Sequence, residues 1–398
     1  MIAAGRVAGS PAARSGLERW TWLVVLVAAA ACDAGQPPAR SLEAQEPIPR
    51  AEFAALVQRI SEDGGYFDTD NLISNETGYL NVMDALGRRG LQGGAYVGVG
   101  PDQNYSYIAQ LRPDVAFLTD VRRDNVLQHL LLKALIEHAP TRVEFLSALH
   151  GVTPPADPST WEGASVEAVV AWVDSAWAEE RADPERRGDA TADFDALHDR
   201  VRSAIDAYGL PLSESDFVTI RRFHRSFADQ GLSLRFTSFG RPPRPYYPTY
   251  RQLTLETDVD GDRVSYLASS ERYAVVRDMH RANRIIPVVG DLAGRSALRA
   301  LGDVMREMGV ELRAFYVSNV EFYLWQSRTF DRWLGNARAL PANGDAVVIR
   351  SYFGNFRGHP SAVPGYYATQ TLQPWSTLVA GGFSGYWETI TRDVIPLD

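Results

Sequence analysis

Short apolar segments that alternate with amphipathic helical segments constrain the fold of this chain more than any other sequence feature. Residues 94–100 (GAYVGVG) and 114–119 (DVAFLT) are typical of fully buried strands, and a helical segment follows each of them. The same alternation returns at residues 284–290 (RIIPVVG) and 311–317 (ELRAFYV), with an amphipathic helix over 296–308 between them. Repeated strand–helix–strand units predict an α/β fold with helices flanking a mostly parallel sheet.

Three further segments add to this predicted core. Residues 346–350 (AVVIR) predict another strand. Residues 151–208 combine charged stretches with two helical patterns, which predicts a helical insertion at the periphery of the fold. Residues 250–257 and 263–268 are strand-like on either side of Asp260-Gly261, and this pattern predicts a β-hairpin.

The N-terminus has the pattern of an export signal. Residues 1–19 carry three arginines and one glutamate, and an apolar run of twelve residues, 20–31, leads to Cys32. Twelve residues span only about 18 Å as a helix, which is too short to cross a hydrocarbon core of about 30 Å. Small residues directly before a lone cysteine resemble a bacterial lipoprotein signal, in which Cys32 is lipidated. A secretory signal cleaved after Ala-x-Ala, with Cys32 incidental, is the alternative.

This pattern predicts three parts of the chain: a signal peptide at residues 1–31, a flexible Pro-rich tether at 32–50, and a single α/β domain at 51–398. Removal of the signal takes away a net charge of +2, so the net charge changes from −9 to −11. The expected location is the cell envelope, with attachment to the membrane through the N-terminal lipid.

The composition excludes several common chemistries. One cysteine allows neither an internal disulfide nor a multi-cysteine zinc site. The single lysine, Lys133, lies in an apolar helical segment, so a GK[ST] phosphate-binding loop is absent. The seven histidines form no HExxH motif, which argues against a zinc hydrolase. Because the net charge is negative, we expect no general nucleic-acid binding.

The turn after the first predicted strand is a candidate cofactor-binding segment. Gly98 and Gly100 end the strand, and Asp102 and Gln103 open the next helix, where backbone and helix dipole favour anionic groups. Asp120 ends the second strand about 20 residues later, a spacing typical of a carboxylate that binds ribose hydroxyls. The third glycine of GxGxxG is missing, and a tight turn with a helix-capping carboxylate is the alternative interpretation.

Asp291, Asn319 and Glu321 follow the later strands and are the candidate catalytic residues. Because the carboxyl ends of parallel strands lie at one edge of a sheet, we expect Asp120, Asp291, Asn319 and the glycine turn to share one cleft. A polar loop over residues 66–76 either lines the same cleft or only holds itself in place.

Six sequence blocks, taken in order, resemble a family of uncharacterised bacterial proteins with a Rossmann-like fold of the class-I methyltransferase type. They cover most of residues 60–325 and are 65–76 (GYFDTDNLISNE), 96–104 (YVGVGPDQN), 116–125 (AFLTDVRRDN), 265–271 (SYLASSE), 288–294 (VVGDLAG) and 315–321 (FYVSNVE). The resemblance implies a methyltransferase-like sheet. It also implies that the Gly98–Gly100 turn and Asp120 lie where the methionine and ribose parts of S-adenosylmethionine bind.

Two functional hypotheses follow. The first is an envelope binding or interaction protein that uses the strand-end cleft for a small-molecule ligand. The alternative is an enzyme of the methyltransferase type that binds S-adenosylmethionine or another nucleotide. The expected export favours the first hypothesis, because nucleotide cofactors are scarce outside the cytoplasm. The first strand also lacks the acidic residue that precedes the glycines in typical methyltransferases.

Overall fold

The computed structural model describes residues 46–182, 184–242, 244–354 and 358–397. The predicted signal peptide, Cys32 and most of the predicted tether lie outside the described residues. The last residues of the predicted tether contact the domain: Ile48 is buried, its N–H donates to the carbonyl of Ala282, and its own carbonyl accepts from Asn283.

A six-stranded sheet forms the centre of the described part of the chain. Its strands are β1 (Ala95–Val99), β2 (Val115–Asp120), β3 (Ile285–Val289), β4 (Leu312–Ser318), β5 (Ala342–Tyr352) and β6 (Thr369–Pro374). The spatial order is β3-β2-β1-β4-β5-β6, and neighbours are parallel except β5 and β6, which are antiparallel. This confirms the predicted α/β class with a mostly parallel, Rossmann-like sheet. The chain changes direction across the sheet between β1 and β4, and open α/β sheets bind ligands at such a switch point.

Helices flank the sheet. They are α1 (Arg50–Ile60), α2 (Met83–Arg88), α3 (Asn104–Leu111), α4 (Arg123–His138), α5 (Arg142–His150), α6 (Val166–Ala182), α7 (Pro184–Asp206), α8 (Glu214–Gln230), α9 (Tyr250–Thr254), α10 (Ser270–Arg281), α11 (Ala297–Glu307), α12 (Val320–Gln326), α13 (Phe330–Ala337), α14 (Trp375–Ala380) and α15 (Tyr386–Thr391). Across the residues that the structure describes, no helix has the length and apolar character needed to span a membrane.

The helical insertion is confirmed, since α6 and α7 occupy the predicted segment. Val166, Val169, Val170 and Val173 are the buried residues of α6, at the spacing of one helix face. They belong to the same hydrophobic cluster as the buried residues of the sheet. The insertion therefore packs on the α/β core instead of forming a separate core of its own.

The predicted β-hairpin is wrong. Residues 250–254 form α9, because Thr249 and Gln252 make a reciprocal capping box that starts a helix there. The predicted turn does exist, since the N–H of Asp258 donates to the carbonyl of Asp262, but turns and bends follow it instead of a strand. The apolar residues taken for a strand are those that α9 buries on one face, namely Tyr250 and Leu253.

Strand β6 lies in the C-terminal part of the chain, where the sequence predicts no strand. Its sequence, TQTLQP, holds one large apolar residue, Leu372, among polar ones. Gln370, Thr371 and Gln373 are nevertheless buried. The two glutamines donate hydrogen bonds to Ser351 and to the carbonyl of Thr389, respectively. Buried polar residues of this kind do not produce the apolar pattern from which a strand is predicted.

Candidate functional site

A cavity of about 260 Å³ lies at the carboxyl edge of the sheet, beside the switch point between β1 and β4. We call it the strand-end cavity; the ends of β1 to β4 and the polar loop line it. The residues singled out in the sequence that line it are Gly100, Gln103, Asp120, Asp291 and Asn319. Those that lie outside its lining are Gly98, Asp102 and Glu321. The parallel sheet thus brings five of the eight together.

The two glycines of the first turn have different roles. Gly100 lines the cavity with a left-handed φ of +85°, which favours glycine. Gly98 lies within β1, and a Cβ atom there would overlap the side chain of Asn104. That side chain holds the turn, since Asn104 Nδ2 donates to the carbonyls of Val99 (2.9 Å) and Pro101 (2.7 Å). Gly98 therefore makes room for the turn rather than for a ligand.

Asp102 is buried behind the cavity wall. Its Oδ2 accepts hydrogen bonds from the hydroxyls of Tyr250 and Tyr266, each at 2.9 Å. Burial raises the pKa of Asp102 to about 6, although both tyrosines oppose the shift. In this arrangement Asp102 fixes the start of α3 against the segment around α9.

Glu321 is also committed to packing. Its carboxylate pairs with the guanidinium of Arg350 and accepts a hydrogen bond from Trp333 Nε1 at 2.9 Å. The two charged side chains are only 1% and 2% exposed. Glu321 thereby joins α12 to β5 and α13 in the interior of the protein.

Asp120 lines the cavity and holds an arginine at the same time. Arg122 donates from Nε to Asp120 Oδ1 at 3.0 Å and from Nη2 to Oδ2 at 2.7 Å. The remaining nitrogen, Nη1, donates to the carbonyls of Thr69 and Asp70 at 2.8 and 2.7 Å. Asp120 therefore fastens the polar loop to the end of β2 through Arg122. The loop both lines the cavity and is held in place.

Glu76 is the cavity residue whose importance the sequence analysis missed. It is buried, and its carboxylate accepts hydrogen bonds from Tyr316, Ser318, Ser351 and Gln370. Burial raises its pKa above the ordinary value, although each of the four donors lowers it. The only sequence signal was its position in the polar loop, because its partners lie more than 200 residues further along the chain.

Gln103, Asp291 and Asn319 are further polar residues of the lining. Gln103 Nε2 donates to Tyr316 Oη at 3.3 Å, whereas its buried Oε1 has no hydrogen-bond partner among the described residues. Asp291 Oδ1 accepts from the N–H of Ala293 at 2.8 Å. Leaving a buried acceptor such as Gln103 Oε1 unpaired costs free energy, which a bound ligand can recover.

Aromatic side chains form another part of the lining, namely Phe67, Phe236, Tyr247 and Tyr323. Phe67 and Tyr323 meet edge to face, with ring centroids 5.4 Å apart and planes at 89°. Tyr323 is 40% exposed, so this ring is accessible from solvent. Within the described ranges, no group of three or more histidine, cysteine or acidic side chains is placed to hold a metal ion.

Comparison with known proteins identifies a family but no characterised relative. A search of the curated proteins found no match to this chain. A family model described as a domain of unknown function (DUF7790) matches residues 72–380. The match begins inside the polar loop, includes all six strands and ends with the last residue of α14. This chain is therefore a member of the DUF7790 family.

Proposed function

We propose that this protein is exported, is anchored in the membrane by a lipid on Cys32, and binds a small polar ligand in the strand-end cavity. The observation that carries ligand binding is the position of Gln103, Asp120, Asp291 and Asn319 around one cavity at the switch point of the sheet. Its volume, about 260 Å³, lies close to the lower end of the range for ligand pockets, roughly 300–1,000 Å³. A ligand smaller than a dinucleotide fits this size.

A methyltransferase-type enzyme is the second candidate. Gly100 and Asp120 line the same cavity, which supports a site for the methionine and ribose parts of S-adenosylmethionine. However, both carboxylate oxygens of Asp120 already accept hydrogen bonds from Arg122. Of the three candidate catalytic residues, Glu321 is used in a buried ion pair. We therefore place binding first and catalysis by this cavity second.

Ligand binding is tested by mass spectrometry of the small molecules that co-purify with the protein. We expect one compound to be retained by the wild type and lost in Asn319→Leu, which replaces a cavity-lining amide. The matched control is Asn343→Leu, at the opposite, amino end of a parallel strand, which should retain the compound. Equal retention by both variants, or no retained compound, contradicts the proposal. Calorimetry with S-adenosylmethionine and S-adenosylhomocysteine tests the second candidate on the same three proteins.

Anchoring is tested separately by metabolic labelling with radioactive palmitate. We expect label on the wild type in the membrane fraction and none on Cys32→Ala. An unlabelled wild-type protein that is cleaved and released to the soluble fraction contradicts lipidation and supports the secretory alternative.

A further inference from the structure

We infer that the ligand of the strand-end cavity is a neutral saccharide. This inference rests on the proposed function, because it names the ligand class of the same cavity. Its basis is the combination of three features in one lining: carboxylates paired with arginines, amide side chains of which one has an unpaired acceptor, and an accessible aromatic ring.

The charges of the cavity favour a neutral ligand. Asp120 is paired with Arg122 at 2.7 Å, and Asp68 is paired with Arg241 at 2.6 Å. Glu76 already accepts four hydrogen bonds from surrounding side chains. These carboxylates are therefore largely compensated, which weakens the attraction for a cation. Arg122 and Arg241, which also line the cavity, are used in these pairs, so an anion such as phosphate finds no unpaired arginine among the described lining residues.

The polar groups of the cavity match the edge of a sugar ring. Each hydroxyl of a saccharide is both a donor and an acceptor, as are the amide groups of Gln103 and Asn319. Gln103 Oε1 is the buried acceptor without a partner, and it requires a donor such as a hydroxyl. Asp291 supplies a carboxylate that also accepts from hydroxyls.

The aromatic part of the lining matches the face of a sugar ring. The face of an aromatic ring carries negative potential, which attracts the slightly positive C–H groups on one side of a pyranose. The two aromatic pairs that line the cavity, Phe67–Tyr323 and Phe236–Tyr247, have planes at 89° and 76°. Neither pair is parallel, so neither provides the two parallel rings that enclose a nucleobase between them.

Two exposed rings allow a matched test. Tyr323 lines the cavity and is 40% exposed, whereas Phe239 lies outside the lining and is 49% exposed. Tyr323→Ala and Phe239→Ala therefore remove rings of similar exposure, of which one lines the cavity. A third variant, Gln103→Leu, removes the unpaired acceptor.

The experiment is saturation-transfer NMR and calorimetry on the full chain, isolated in a detergent without a sugar head group. The probes are glucose, galactose, N-acetylglucosamine and maltose, with adenosine, S-adenosylmethionine, spermidine and inorganic phosphate as competing classes. We expect binding of at least one saccharide, weakened about tenfold in Tyr323→Ala and changed less than about twofold in Phe239→Ala. Gln103→Leu should also weaken it.

The other outcomes separate the two proposals. Binding of adenosine, S-adenosylmethionine, spermidine or phosphate that is lost in Asn319→Leu, with no saccharide bound, overturns the saccharide inference and leaves ligand binding intact. Saccharide binding that both alanine variants reduce equally, or that neither reduces, also overturns it, because the sugar then binds elsewhere. If no probe binds, the saccharide inference fails, and the co-purification experiment decides the proposed function.

Discussion

At the scale of single residues, the buried position of Glu321 indicates a structural role and not a catalytic one. Its carboxylate is the partner of Arg350 in a pair that is almost fully buried. Removal of the charge in Glu321→Gln leaves the guanidinium unpaired in the interior, so we expect the free energy of unfolding to fall by about 3–5 kcal/mol. Urea denaturation followed by circular dichroism measures this loss.

The matched control for Glu321 is the same substitution in an exposed pair. Glu214 pairs with Arg202, and its side chain is 80% exposed. Because solvent screens a pair as exposed as this one, Glu214→Gln should change stability little. Equal losses in the two variants contradict a structural role for the buried pair.

Glu256 predicts a pH dependence of stability. It is 8% exposed, and it accepts a hydrogen bond from the N–H of Gly78. Burial raises its pKa from 4.5 to about 7, so the folded state holds the proton more tightly than the unfolded chain. Its contribution to stability is therefore complete below pH 4.5 and is lost as the pH rises through about 7.

The variant Glu256→Gln keeps the acceptor oxygen and removes the titration. We expect the stability of this variant relative to that of the wild type to rise by about 1–3 kcal/mol as the pH rises from 5 to about 8. Denaturant midpoints of both proteins, measured across this range, give the difference. A difference that stays constant with pH contradicts the assignment.

At the scale of secondary structure, helix α8 begins with a cap whose contribution to stability can be measured. Ser213 Oγ accepts from the N–H of Asp216, and the Asp216 carboxylate accepts from the N–H of Ser213 at 2.8 Å. We expect Ser213→Ala to lower the free energy of unfolding by about 1 kcal/mol, because the first turn loses its hydroxyl acceptor. Thr219→Ala, at a half-buried position beyond the first turn of the same helix, should cost less than about 0.5 kcal/mol. A larger loss at Thr219 than at Ser213 rejects the cap as the cause.

A helix or strand of this fold was predictable from the sequence where its own residues carry the pattern of that element. Five strands were predicted because a parallel sheet buries both faces of its strands, which leaves short apolar runs in the sequence. Strand β6 lacks such a run, and its buried glutamines depend on Ser351 and Thr389. The prediction of a strand over residues 250–257 is wrong because the five-residue helix α9 is too short to show its period in the sequence.

The same distinction applies to the cavity. The rule for parallel sheets predicted that Asp120, Asp291 and Asn319 would lie at one edge, and all three line the strand-end cavity. The position of Asp102 was not predictable, because the tyrosines that bind it are 148 and 164 residues away in the sequence. Local spacing shows which residues follow a strand, but it does not show which distant side chains will form hydrogen bonds with them.

At the scale of the whole molecule, the continuous hydrophobic cluster predicts cooperative unfolding. Buried residues of α6 and of β4 belong to the same cluster in the described part of the chain. We expect the insertion and the sheet to lose their structure together, with the same urea midpoint. Pulsed hydrogen exchange with mass spectrometry, read on peptides from α6 and from β4, measures both in one experiment. Separate midpoints contradict a shared core.

The partners of Glu76 also determine when its hydrogen bonding can be complete during synthesis. The carboxylate comes from a loop near the start of the domain, whereas Ser351 and Gln370 follow it by 275 and 294 residues. Before β5 and β6 are synthesised, Tyr316 and Ser318 of β4 can already donate to this carboxylate, but two of its four hydrogen bonds are missing. The lining of the cavity itself ends at Leu324, so the last two strands add to the support of Glu76 behind a lining that earlier residues supply.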